Sequence, residues 1–132
     1  AYYRQAIAAD PANALAQAAL LGLDGAADAL GAESRLKGLL ATQPHQHAVN
    51  FALGNVYAAA GRWHEAQQQF FHAHTGDVAQ PDYLFNLAVS LDHLQQRTLA
   101  ADYYRQALAA AARRPAAFDP TRTAARLREL LP

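Results

Sequence analysis

The sequence predicts an all-α chain built as a solenoid of antiparallel helix pairs. The first observation is a pattern that recurs at a step of 34 residues. Leu53, Gly54, Tyr57, Ala66, Phe70 and Ala73 are followed by Leu87, Ala88, Leu91, Ala100, Tyr104 and Ala107, and preceded by Ala19, Leu20, Leu23, Ala32, Leu36 and Leu39. A period of this length marks a stacked repeat. The second is helical spacing within each copy: Leu53 with Tyr57, and Ala66 with Phe70 and Ala73, each share one face. The third is punctuation. Pro11 and Pro44 stand at repeat ends, while Pro81 and Pro115 open the next units, and proline is tolerated at a helix's first turn but not in its interior. Two short helices cannot bury both their apolar faces alone, so stacked neighbours are required.

Taken in order, residues 1–12 read as the second helix of a truncated repeat, closed by Asp10 and Pro11. The run Tyr2-Tyr3-Arg4-Gln5-Ala6 returns as Tyr103-Tyr104-Arg105-Gln106-Ala107. An outer apolar face of Tyr2, Tyr3 and Ile7 is left for an upstream repeat or a second chain to cover. Residues 13–46 form the next repeat. Its first helix spans 13–23; Gly22, Gly25 and Gly31 weaken helix between there and the second helix, which reaches Thr42 with Arg35 and Lys37 on its solvated side. Residues 47–80 are the best-formed copy, two helices joined by a tight turn at Gly61, Arg62 and Trp63. Gly54 and Ala66 are small where these helices approach, and Gly76 offers a left-handed stop. In residues 81–114, Pro81 and Asp82 open a helix reaching Leu94, and residues 98–112 form its partner. Asp119 then reads as an N-cap before Pro120. The helix over 119–131 sets Ala124, Leu127 and Leu131 on one face and Arg122, Arg126 and Glu129 elsewhere, as a cap on a solenoid's open end requires. Residues 1–132 are thus read as a single domain.

These residues carry a family resemblance. The chain resembles tetratricopeptide repeat (TPR) proteins, whose unit has a Leu-Gly pair, a tyrosine three residues later, a Gly-Asp-Tyr-like turn, spaced alanines and an aromatic, and a closing proline. Residues 47–80 match nearly all of it, with Trp63 in the turn aromatic's place and Val78 for the proline. Residues 81–114 match with Gln95 where glycine is usual, and residues 13–46 match weakly. The resemblance implies a right-handed superhelical solenoid of three full repeats, with a leading half repeat and a C-terminal capping helix.

It also implies a working surface. In TPR proteins the first helix of every repeat lines a concave groove that holds an extended peptide or a partner's helix. The groove candidates here are Gln17, Phe51, Asn55, Asp82, Phe85, Asn86, Val89 and His93. Asn55 and Asn86 match the two asparagines with which chaperone-binding members hold a peptide's main chain or carboxylate, a task suited to an amide that donates and accepts. The cations of that clamp are replaced by Phe51, Ala116 and Pro120, which argues against an acidic chaperone tail as ligand. Two phenylalanines and few charges favour an apolar or amphipathic segment. Asp82, Asp92 and His93 are expected to add a pH-sensitive polar edge.

Composition narrows the classes. Alanine dominates an apolar fraction of 52%, which suits close helix packing. Eleven basic and eleven acidic side chains cancel, so the basic footprint of a nucleic-acid binder is missing. The apolar stretches are too short for a membrane span. The absence of cysteine excludes disulfide and thiolate chemistry and fits cytoplasm and periplasm alike. No methionine is present and the chain opens in mid-repeat, so it reads as an excised fragment of a larger protein. Of six histidines, His72 and His74 are two apart, which on a helix turns the rings away from a common ion; His45 and His47 straddle a loop without a third ligand. His64 and Glu65 begin a zinc-protease motif that fails at Gln68, and neither Ser34 nor Ser90 sits in a nucleophile elbow. No active site, metal site or cofactor is therefore expected. The function expected is a non-catalytic protein–protein interaction scaffold, with bacterial pilus, secretion or envelope assembly as the family-level analogy. Two alternatives stand beside it: a regulatory or substrate-binding arm of a larger enzyme, and a self-association module using the open N-terminal end.

Overall fold

The computed structural model describes residues 29–43 and 46–132, and among them six helices succeed one another. These are α1 (Ala29–Thr42), α2 (His47–Ala59), α3 (Trp63–Gly76), α4 (Pro81–His93), α5 (Arg97–Ala111) and α6 (Pro120–Leu130). They pack as sequential antiparallel pairs, α2 with α3 and α4 with α5, each helix also resting on its neighbours in the chain. The leading half repeat, the first helix of the 13–46 repeat, Gln17, Pro44 and His45 lie outside the described residues.

The recurring residues make the core. Ala32, Leu36, Leu53, Tyr57, Ala66, Phe70, Ala73, Leu87, Ala88, Leu91, Ala100, Tyr104 and Ala107 are all buried, as is Gly54. The close approach of α2 and α3 is set by small residues. A Cβ added to Gly54 would lie 2.5 Å from Cε1 of Phe70, so α3's largest core side chain fits only over a glycine. One repeat later the equivalents of Gly54 and Ala66 are Ala88 and Ala100, both small and fully buried.

Both helix pairs turn in the same way. The Arg62 N–H donates to the Tyr57 carbonyl at 2.9 Å and the Gly61 N–H to that of Ala58 at 3.0 Å. One repeat on, the Gln96 N–H donates to Leu91 at 2.9 Å and the Gln95 N–H to Asp92 at 3.1 Å. This is the Schellman closure, which requires a left-handed residue after the helix. Gly61 adopts it at φ 75° and Gln95 at φ 64°. A side chain with a Cβ is strained there by about 1–2 kcal/mol. Gln95→Gly is therefore expected to stabilise the chain by about 0.5–1 kcal/mol, the glycine's greater unfolded-state entropy offsetting part of the relief. A rise in the urea midpoint at unchanged slope is the check.

Three local expectations are corrected. Trp63 is not a turn residue but the first residue of α3, because Arg62 already completes the closure. Gly76 is not left-handed; it ends α3 where the chain passes His47, whose Cβ would be 2.5 Å from any Cβ at that position. Glycine is required there by space, not by φ. Gly31 and Gly38 both lie within α1 without breaking it. Leu36 and Ala32 are buried on one side of that helix, and tertiary packing outweighs propensity.

α6 begins as expected, with the Asp119 carboxylate accepting the N–H groups of Thr121 at 2.9 Å and Arg122 at 3.4 Å, and Pro120 at the first turn. Its buried face differs. Thr123 and Leu130 are buried with Leu127 packed beside them, whereas Leu131 is 44% exposed. The helix stops at Leu130 and Leu131 leaves in extended conformation, so the inward row runs i, i+4, i+7 from Thr123. Pro115 opens no helix, since α6 starts five residues later than a 34-residue step would place it.

Candidate protein-binding site

The first helices of successive pairs form a row. His47 and Phe51 of α2 meet Tyr83 of α4, with ring centroids 6.0 and 4.8 Å apart. Asp92 at the other end of α4 meets Arg126 of α6. All the described groove candidates lie on α2 and α4 of this row.

They are not equally available. Asn55 and His93 are exposed, and Val89 is half-buried. The His93 ring lies flat on that of Trp63, 3.8 Å between centroids and 3° from parallel, so α3 fixes its orientation. Phe51 is half-buried, with Phe70 at 5.7 Å behind it and Tyr83 beside it. Phe85 packs on Tyr104 at 6.0 Å, and its other neighbour is Phe118 at 4.5 Å and 8°. Asn86 donates an amide N–H to the Asp82 carbonyl at 3.1 Å, which pins the side chain along its own helix. The Asp82 carboxylate accepts the Ala117 N–H at 2.9 Å.

Asp92 does not belong to a pH-sensitive edge. Arg126 donates Nε–H to one carboxylate oxygen at 2.8 Å and Nη2–H to the other at 2.7 Å, and the Tyr104 hydroxyl donates at 3.0 Å. The guanidinium first, and the phenol after it, hold this carboxyl below its ordinary value and keep it ionised at neutral pH. Burial, then the carboxylate, pushes the Tyr104 phenol up. A related cluster ties α1 to the next pair. Glu33 pairs with Lys37 and Arg62, both at 2.8 Å, accepts from the Tyr57 hydroxyl at 3.1 Å, and is held at about 2 chiefly by the two cations. Arg62 also pairs with Glu65 and lies 4.5 Å over the Tyr57 ring. Both clusters lock neighbouring helices in register.

A cavity of about 510 Å³ opens between α1, α2 and α3, lined by Leu40, His47, Asn50, Gln69, His72, Thr75 and Gly76. Among the described residues no three His, Asp or Glu side chains gather as a metal ion would need. No described helix is long and apolar enough to cross a membrane.

No family model matches the chain, and no curated protein matches it. Among solved structures, the Yersinia enterocolitica type III secretion translocator chaperone SycD superposes with a TM-score of 0.78 at 18% identity. The match covers 89% of this chain and 81% of that one. The fold is the tetratricopeptide repeat fold. At this identity the likeness is one of architecture, and the TPR pairing it shows is the one the 34-residue period implies.

Within the TPR frame, the long α5–α6 connection changes one sequence-based assignment. Pro81 opens α4 and Pro120 opens α6, so the helical positions matching Asp82 and Asn86 are Thr121 and Ala125 rather than Ala116 and Pro120. Neither is a cation. Sequence reasoning also missed Phe118, Ala117 and Arg114, which touch Phe85, Asp82 and Asp77. The signal was present in the Asp119-Pro120 start of α6, which already showed that an insertion precedes it.

Proposed function

We propose that this chain is a non-catalytic protein-binding scaffold that holds a segment of a partner along the face formed by the first helices α2, α4 and α6. The observation that carries this is the row of Phe51, Asn55, Phe85, Val89 and His93 presented by two adjacent helices whose opposite faces are locked into the core. Half-buried aromatic rings on a rigid support are the usual anchors of recognition, because little entropy is lost when a partner seats on them. Exposed Asn55 can donate to and accept from an extended main chain. The similarity to SycD, a type III secretion translocator chaperone, supports a protein segment as ligand and secretion as the setting. The repeat limits proposed with this reading are 1–12, 13–46, 47–80 and 81–114, closed by the 119–131 helix.

Peptide-library selection tests it. The wild-type chain is expected to enrich a common motif, and an Asn55→Ala/Val89→Ala/His93→Ala variant, verified as folded by circular dichroism, to bind it at least tenfold more weakly, about 1.4 kcal/mol. Enrichment that survives in the variant would move binding off this face.

A further inference from the structure

The connection between α5 and α6, residues 112–119, is twice as long as the 77–80 connection between α3 and α4, and its extra length is folded back onto α4. Arg114 donates two parallel N–H bonds to the Asp77 carboxylate at 2.9 and 3.1 Å. Ala117 donates its backbone N–H to Asp82 at 2.9 Å. The Phe118 ring lies 4.5 Å from that of Phe85 and 8° from parallel. The three receiving groups stand together where the chain turns into α4, and Phe85 is one of the rings the proposed function gives to a partner.

We infer that residues 112–119 form a strap that occupies this end of the binding face as an internal ligand, and that the partner segment replacing it carries a basic side chain four residues before an aromatic one. The inference rests on the proposed function and specifies its ligand. The strap's own contacts define the chemistry. They are a guanidinium at one position for Asp77, a main-chain N–H three residues later for Asp82, and an aromatic ring at the fourth for Phe85. The strap is received by two carboxylates, Asp77 and Asp82, so a basic segment fits and an acidic one is repelled. The strap is also built to release. The Arg114 and Asp77 side chains are 40% and 30% exposed, so water and salt reach the pair and compete for it. α6 has its own anchors in the Asp119 cap, in Arg126 on Asp92 and in buried Thr123 and Leu130, so the Arg114 side chain and residues 115–118 can lift off α4 without undocking that helix.

The test is a nuclear magnetic resonance titration of the whole chain with a synthetic peptide of residues 111–120. In wild type the strap competes with it, and the apparent affinity is lowered by the fraction of molecules with the strap open. In Phe118→Ala, and separately in Arg114→Ala, the peptide is expected to shift the Asp82 and Phe85 amides saturably at concentrations at least tenfold lower than in wild type. A peptide with its phenylalanine or its second arginine changed to alanine is expected to lose that effect. Equal titration of wild type and variants, no saturable shift in either variant, or an altered peptide that binds as well would overturn the strap. So would shifts that track protein concentration without peptide, which would assign the site to a second copy of the chain. If library selection still enriches ligands on wild type while the titration fails, the binding face stands and only the strap falls; failure of both removes both.

Discussion

Phe70→Ala is expected to cost about 3–5 kcal/mol, a large part of the roughly 5–15 kcal/mol that holds a domain of this size together. Phe70 is 1% exposed and sits between α2 and α3, with Phe51 on one side and Gly54 beneath it. The neighbours that would have to collapse into the hole are backbone at Gly54 and rings already packed elsewhere, so relaxation is limited. The reciprocal change sharpens the test. Gly54→Ala would normally favour a helix by about 1 kcal/mol, but here its methyl meets the Phe70 ring and the net effect is expected to be a loss of about 1–3 kcal/mol. In a Phe70→Leu background the same substitution is expected to be neutral or stabilising. Urea unfolding of the four proteins gives the coupling directly, and additive effects would mean that Gly54 is not set by contact with Phe70.

Asp92→Ala is expected to cost about 2–3 kcal/mol, because it leaves the Arg126 Nε–H and Nη2–H and the largely buried Tyr104 hydroxyl without their acceptor, Arg126 keeping only Glu129 through Nη1. Asp92→Asn keeps an acceptor for Tyr104 and is expected to cost about half as much. The two differ from wild type in acid. The native Asp92 carboxyl is held below its ordinary value of 3.8, so the stability it adds is complete above that pH and is lost as the pH falls below it toward the native value. Glu33 acts in the same direction, between its ordinary 4.5 and about 2. Thermal melts from about pH 6 to about pH 2 are therefore expected to show a shallower acid decline in Asp92→Asn than in wild type. Parallel declines would mean that the carboxylate is no better solvated in the fold than in the unfolded chain.

The fold was legible because its determinants are periodic. Leu53, Ala66 and Phe70 announce a helix pair, and their counterparts one step on announce that it is stacked. Contacts between non-equivalent positions were not legible. Arg126 stands one 34-residue step from Asp92, but the late start of α6 makes their helical positions non-equivalent, and Glu33 and Tyr57 are 24 apart; both pairs are chosen by side-chain reach across an interface. The two glycines read as punctuation divided likewise: Gly61 serves φ, while Gly76 serves the close passage of His47. At the candidate site, helical spacing put Phe51, Asn55, Phe85, Val89 and His93 on neighbouring first helices. It could not show that Trp63 and Phe118 already stack on two of those rings, because both come from chain outside the first helices.

Whether the row of first helices is the working surface is decided by mapping where a selected peptide lies. Amide and side-chain shift changes are to be recorded on the whole chain as the tightest enriched peptide is added. The changes are expected to concentrate on α2 and α4, at Phe51, Asn55, Val89 and His93, with α3 and α5 little affected. Changes centred on the outer helices, for instance at Phe71 or Leu99, or no peptide enriched at all, would contradict it.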